Sequence, residues 1–259
     1  PMCVSYYTYK VEFQDRGAGH IHGTMWLRLD DLEDMHRGDD GELKPLGKDD
    51  MNKNKGVLHG LRKAFTKLRK NMKLDDDDRR ALTRFIDEFT TVSIHENTVG
   101  RVVAKIAQEV NKHHHTKTCR KHDTTCRFNY PRFPAPYTMI VEPCDAKTSE
   151  EREELLVKYR AVLKKVKEVL EDDDVINRIM EKYDKQKETK DEHTKNRTKR
   201  IKELCEVAGV DYDTYLKALK TSKTGHSLVQ KRDLDELFIN SYNIEWLRAW
   251  NGNMDIQIV

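Results

Sequence analysis

Residues 11–26 read VEFQDRGAGHIHGTMW, and the turn in the middle of this stretch decides how the rest of the chain is taken. Val4 to Gln14 is rich in aromatic and β-branched residues, Asp15 to Gly19 supplies a glycine-containing turn, and His20 to Leu29 is strand-like again, so the segment predicts a β-hairpin. Alternation puts His20, His22, Thr24 and Trp26 on one face of the second strand, and Ile21, Gly23, Met25, Leu27 and Leu29 on the other. Across that turn Gln14 is expected beside His20, and Glu12 beside His22, on the histidine face. Two imidazoles with an amide or carboxylate oxygen form an open half-shell for one divalent ion, Mg²⁺ or Mn²⁺, with positions left for phosphate oxygens and water. An H-x-H pair alone also occurs as ordinary satisfied polar residues on a strand; the cross-strand Gln14 and Glu12 tilt the reading toward the ion.

The 259 residues suffice for one large or two small domains, and 37% apolar residues is low for a uniformly compact chain of that length, which points to some elongated helix. Net charge is only +3 although 36% of residues are charged, so any nucleic-acid surface has to be local. Five cysteines without a framework spacing argue for a reducing, intracellular compartment. Neither a signal peptide nor an apolar run near membrane-spanning length is present, so no membrane partner is expected. The start at Pro1, directly before a strand, reads as that of a fragment.

Beyond the hairpin, residues 30–56 are polar and punctuated by Gly and Pro, which predicts a long surface loop. Val57, Leu58, Leu61, Phe65, Leu68 and Met72 then fall at helical spacing, with Arg62, Lys63, Lys67, Arg69 and Lys70 as a solvated face. A second helix follows Asp75 to Asp78 and buries Leu82, Phe85, Ile86 and Phe89. A third is expected over 98–112, with Val99, Val102, Val103, Ile106 and Val110 inward.

Residues 111–133 depart from the charge balance of the chain. They carry six cations, Lys112, Lys117, Arg120, Lys121, Arg127 and Arg132, against one acid, Asp123. Phe128, Tyr130 and Phe133 are interleaved with them, and cations for phosphates with flat faces for bases are what a single-strand groove requires. Cys119, His122 and Cys126, with one of His113 to His115, also offer the donors of a small structural Zn²⁺ site. Their spacing is not that of a standard finger, and free thiols in a basic loop remain the alternative.

PRFPAP (131–136) closes this segment and YTMIVEP (137–143) predicts a strand. Thr148-Ser-Glu-Glu151 is a capping box that opens a helix of about five turns through Leu155, Tyr159, Val162, Val166 and Val169. From Lys147 to Glu203 there are 17 Lys or Arg and 15 Asp or Glu, which predicts solvated helix faces, with 186–200 disordered. IKELCEVAGVDYDTYLKALKTS (201–222) has the pattern of a helix-turn-helix unit around Ala208-Gly209. Lys217 and Lys220 alone suit base edges on its second helix, so a base-reading role is disfavoured. SLVQKR (227–232), ELFIN (236–240) and MDIQIV (254–259) are expected as closing strands that rejoin the first sheet.

EFQDRGAGHIHGTMWL (12–27), HHHTKTCRKHDTTCRFNYPRFP (113–134) and INSYNIEWLRAWNGNMDIQIV (239–259) together resemble, in order, three blocks of the Rep nuclease of Helitron transposons, a member of the HUH single-strand endonucleases. The resemblance implies an α+β fold with a central antiparallel sheet bearing the HUH hairpin and a long helical insertion. Residues 1–143 would form the partial endonuclease domain with its basic His/Cys segment at 111–134, residues 144–225 the insertion, and 226–259 the closing strands. It implies His20, His22 and Gln14 as ligands of Mg²⁺ or Mn²⁺, with Glu12 as the fallback that geometry permits. The His and Cys of the middle block would supply Zn²⁺ ligands from His113, His115, Cys119, His122 and Cys126, and DNA contacts would come from Lys112, Lys117, Arg120, Lys121, Arg127, Phe128, Tyr130 and Arg132.

The implied activity is nicking and strand transfer on single-stranded DNA, in which a tyrosine attacks the scissile phosphate; the setting would be nuclear in a eukaryote. Relatives carry that tyrosine in a Y-x3-Y pair after the strand that MDIQIV resembles, so the nucleophile is expected beyond Val259, with Tyr242, then Tyr215, as weak stand-ins. A helicase domain is the expected partner in the full-length protein, and its G-x4-G-K-[ST] loop does not occur in these residues. The rival reading is a non-enzymatic, zinc-containing nucleic-acid-binding module; a structural α+β scaffold with incidental histidines is the third.

Overall fold

The computed structural model describes residues 3–13, 19–28, 35–37, 43–45, 48–117, 119, 126–183 and 190–257. The fold is α+β, and it divides into two compact units, Pro1–Lys67 with Leu74–Ala81, and Leu68–Lys73 with Leu82–Val259.

In the first unit β1 (Cys3–Phe13) pairs antiparallel with β2 (Gly19–Arg28), as the alternation of residues predicts. The register differs from expectation by two residues. Phe13 pairs with Gly19, so Glu12 stands opposite His20, and Lys10, not Glu12, stands opposite His22. The pairing runs as far as Phe13 and Gly19, so Gly19, expected in the turn, belongs to β2. A shift of two preserves which residues share a face.

Within 30–56, predicted as a surface loop, the described residues form regular elements. β3 (Met35–Arg37) and β4 (Leu43–Pro45) form a second ladder, and α1 (Lys48–Arg69) starts well before the apolar stripe. Among its described side chains in this unit, Leu61 and Ala64 are buried. At the start of α2 (Asp76–Phe89) two aspartates bond reciprocally, the Asp78 amide donating to Asp75 Oδ1 at 2.8 Å and the Asp75 amide to Asp78 Oδ2 at 3.0 Å. Lys67 bonds both carboxylates, and these bonds hold the Asp75 carboxyl well below the usual range.

The second unit has two apolar cores. The predicted third helix is split into α3 (Glu96–Val99) and α4 (Arg101–Glu109) at Gly100, whose φ of 80° lies where helix cannot continue. The break rephases the inward face: Val103, Ala104 and Ala107 are buried, while Val102 and Val110, expected inside, are 61% and 41% exposed. Val99, Val103, Ala104 and Ala107 pack with Val92, Ile239, Tyr242 and Leu247.

The other core lies among four helices and a small sheet. β5 (Met139–Pro143) is followed by α5 (Ser149–Leu170), where Thr148 caps by accepting from the Glu151 amide at 3.1 Å. Its buried residues are Leu156, Val166 and Leu170, with Val162 and Val169 partly buried, so the seam runs one position off the predicted one near the start. Then come α6 (Asp173–Glu181), α7 (Lys190–Val207) and α8 (Tyr212–Lys220). Residues 190–200, expected to be disordered, are therefore helical; 186–189 lie outside the described residues. Gly209, at φ 62°, makes the turn between α7 and α8, so the helix–turn–helix arrangement is present.

β5 runs parallel to β6 (Thr221–Ser222) and antiparallel to β7 (Ser227–Val229). α9 (Ile244–Trp250) completes the unit, capped by Asn243, which accepts from the amides of Glu245 and Trp246. Of the expected closing strands only 227–229 forms. Residues 236–240 make turns with an isolated bridge from Ile239 to Lys112, and 254–257 carry no strand. Among the described residues the strands form three small sheets, and the hairpin stands in a two-stranded sheet of its own. Nor are the insertion helices a separate body, since Ala135, Met139, Leu234 and Leu237 share their core.

Candidate metal centre

The basic segment is anchored at its root. The Asn111 amide side chain donates to Asn240 O at 3.0 Å, the Asn240 amide returns a bond to Asn111 O, and the His113 amide donates to Phe238 O at 2.7 Å. From this root the chain makes a tight turn at 116–119, where the Thr116 amide points at Cys119 Sγ at 3.2 Å. The Arg127 amide donates to Cys119 O at 2.9 Å and so returns Cys126 to the same place.

The result is a group of four donors. The ligand atoms of His113, His115, Cys119 and Cys126 all lie within 4.8 Å of one another. Cys126 Sγ is 3.4 Å from His113 Nε2, and Cys119 Sγ is 3.5 Å from His115 Nδ1. Bonds of about 2.3 Å to sulfur and about 2.0–2.1 Å to nitrogen give a tetrahedron whose S···N edge is roughly 3.5 Å, so these two separations fit either an S···N hydrogen bond or ligands that could share one ion. The imidazoles are held from behind: His113 stacks on Tyr130 at 4.3 Å between centroids, and His115 meets Phe238 edge-on at 5.7 Å. Such outer contacts orient ligands and tune the ion. Of the expected donors, His122 lies outside the described residues, and His114 is exposed.

Around this group Lys112, Lys117 and Arg127 are exposed, and Arg127 lies over the Phe128 ring at 4.5 Å. Phe128 is 45% exposed, and His113 meets its ring edge-on at 5.7 Å. Tyr130, expected as a stacking platform, is 5% exposed; its hydroxyl bonds Asn240 and its ring lies near-parallel to those of His113 and Phe238, at 4.3 and 6.2 Å. Tyr130 therefore supports the donor group and does not face a ligand. Arg132 is half-buried over that ring, while Arg120 and Lys121 lie outside the described residues.

Of the hairpin set, Gln14 and the side chains of Glu12, His20 and His22 lie outside the described residues; the backbone puts His20 and His22 on β2, with Glu12 opposite His20. The stand-in tyrosines are closed off. Tyr242 and Tyr215 are fully buried, with hydroxyls donating to Ser93 O and to Pro134 O, and burial raises both far above the usual phenol range.

A second polar group escaped the sequence reading. Arg200 and Asp233 are both completely buried and paired through Nε–Oδ1 at 3.0 Å and Nη2–Oδ2 at 2.5 Å. Beside them stand His95, His193, Asp235 and Glu236, and burial together with the Asp235 and Asp233 carboxylates pushes the Glu236 carboxyl up to about 7. The acidic turn at 233–236 was the available signal, but its histidine partners come from remote segments that no spacing connects. Among the described residues no helix is long and apolar enough to cross a membrane. No known protein family, curated protein or solved structure matches the chain.

Proposed function

We propose that the chain is the metal-binding part of a Helitron-like HUH nuclease that acts on single-stranded DNA. The observation that carries the reading is the β1–β2 hairpin with His20 and His22 one residue apart on β2 and Glu12 paired with His20. Together with Gln14, these residues would supply imidazole and oxygen donors for Mg²⁺ or Mn²⁺. Such an ion polarises a scissile phosphate and leaves the attack to a hydroxyl nucleophile. The residues 111–133 add the hold on the strand: exposed Lys112, Lys117 and Arg127 for phosphates, and Phe128 for a base. Titrating Mn²⁺ into wild type and a His20→Ala/His22→Ala variant tests it. A site present in the first and lost in the second supports the reading, and equal binding by both contradicts it.

A second reading, a zinc-containing nucleic-acid-binding module without catalysis, is favoured by the convergence of His113, His115, Cys119 and Cys126. Zn²⁺ there would be structural, since four protein donors leave no position open for water or substrate. The two readings share this centre and differ at the hairpin.

A further inference from the structure

The turn at 232–236, the residue that precedes α3 and the first half of α7 bring imidazoles and carboxylates into one enclosed place. His95 Nε2 lies 3.6 Å from Asp235 Oδ2 and 3.6 Å from Glu236 Oε1. The ligand atoms of His95, Asp235 and Glu236 all fall within 4.8 Å of one another. These N···O separations are longer than a good hydrogen bond. They are close to the edge, about 3.4 Å, of a tetrahedron built on bonds of about 2.0–2.1 Å to nitrogen and oxygen.

The neighbours assign roles within the group. Asp233 is occupied by Arg200 through both oxygens. Glu236 Oε2 accepts from the Asp233 amide at 2.8 Å, which fixes the carboxylate with Oε1 turned toward His95. Arg197 and Arg232 are buried nearby, but they donate to backbone carbonyls, Arg197 to Pro136 O at 3.1 Å and Arg232 to Ile239 O at 2.8 Å. His193 lies against His95 with ring centroids 4.3 Å apart, and its Nε2 is 3.7 Å from Asp233 Oδ2. The His95 side chain is 17% exposed and that of Asp235 26%, so an ion has a way in from solvent.

We propose that His95, Asp235 and Glu236 bind a divalent transition-metal ion, with His193 and the Asp233–Arg200 pair as the wall behind it. Two carboxylates and a neutral imidazole balance a dipositive ion and leave a position for water. One imidazole with two carboxylates suits the zinc, manganese and iron class better than calcium or magnesium, which prefer oxygen donors alone. The ion ties the segment before α3 to the turn at 233–236, so its binding adds to the stability of this unit. The site uses no residue of the hairpin or of the His/Cys centre, and stands independently of both.

Cobalt separates the centres, because thiolate ligation gives Co²⁺ an intense charge-transfer band that imidazole and carboxylate ligation does not. The full chain is stripped with chelator, titrated with Co²⁺, and its bound metal counted. Asp235→Asn and Glu236→Gln are expected to bind one equivalent fewer than wild type while keeping the whole thiolate band. Cys119→Ser/Cys126→Ser should lose the band and retain the equivalent that Asp235→Asn lacks. Asp235→Asn keeps side-chain volume at a partly exposed position, and circular dichroism verifies its fold. Wild-type stoichiometry in both Asp235→Asn and Glu236→Gln overturns the site. Absence of a thiolate band in wild type would count against the His/Cys centre alone, because the equivalent lost in Asp235→Asn is counted separately.

Discussion

Helices α5 and α7 are cut from the same charge-balanced stretch, yet they treat their charges in opposite ways. α5 buries Leu156, Val166 and Leu170 and leaves pairs such as Arg160–Glu153 in solvent, with side chains 62% and 57% exposed. α7 buries Ile201 and Leu204 but also Arg197 and Arg200, because Pro136 O and the Asp233 carboxylate meet them inside the core. The composition of a helix counts its charges; the partners that decide their burial lie elsewhere in the chain.

The largest expected effect tests that contrast. Arg200→Ala leaves Asp233 buried and unpaired and should cost about 3–5 kcal/mol in denaturant unfolding, whereas Arg160→Ala on α5 should cost less than about 1 kcal/mol. Equal costs would break the comparison. Tyr130→Ala and Phe128→Ala sharpen it in the basic segment, where neighbouring aromatics also differ in burial. Tyr130→Ala should destabilise by about 3–5 kcal/mol through lost packing. Phe128→Ala should leave the unfolding midpoint in place and weaken oligonucleotide binding by about 1–3 kcal/mol. The reverse assignment would mean that Tyr130, not Phe128, meets the bases.

The same distinction explains what could be read in advance. The hairpin, α2, the cap of α5 and the α7–α8 turn follow from alternation, an acidic first turn, a capping box and a glycine, all of which act within a few residues. The His/Cys centre was legible as residue types because His113 to Cys126 are near in sequence, although which histidines join was not. The Arg200–Asp233 pair was not legible, since an arginine in a run of lysines and glutamates carries no mark of the aspartate it will meet. Lys112 opposite Ile239 shows the same limit for strands: residues 236–240 have strand composition, but the ladder that could extend them is a single bridge.

Smaller effects probe the exposed side of the contrast. Lys112→Ala and Lys117→Ala should each reduce the salt slope of single-strand binding by about 0.7, the share of one phosphate contact. A slope unchanged in both would remove them from the strand's path. Tyr215 and Tyr242 belong to the buried side, and incubation of the chain with labelled single-stranded DNA and Mn²⁺ should put no label on either. Peptide mapping that found DNA on one of them would show that the core opens.

The most direct measurement is the affinity of wild type and the His20→Ala/His22→Ala variant for a labelled single-stranded oligonucleotide, with and without Mn²⁺. The nuclease reading predicts that Mn²⁺ tightens binding by wild type and has no effect on the variant, whose metal-free affinity equals that of wild type because the basic segment is intact. The same response to Mn²⁺ in both proteins would contradict a phosphate-directed ion on the hairpin.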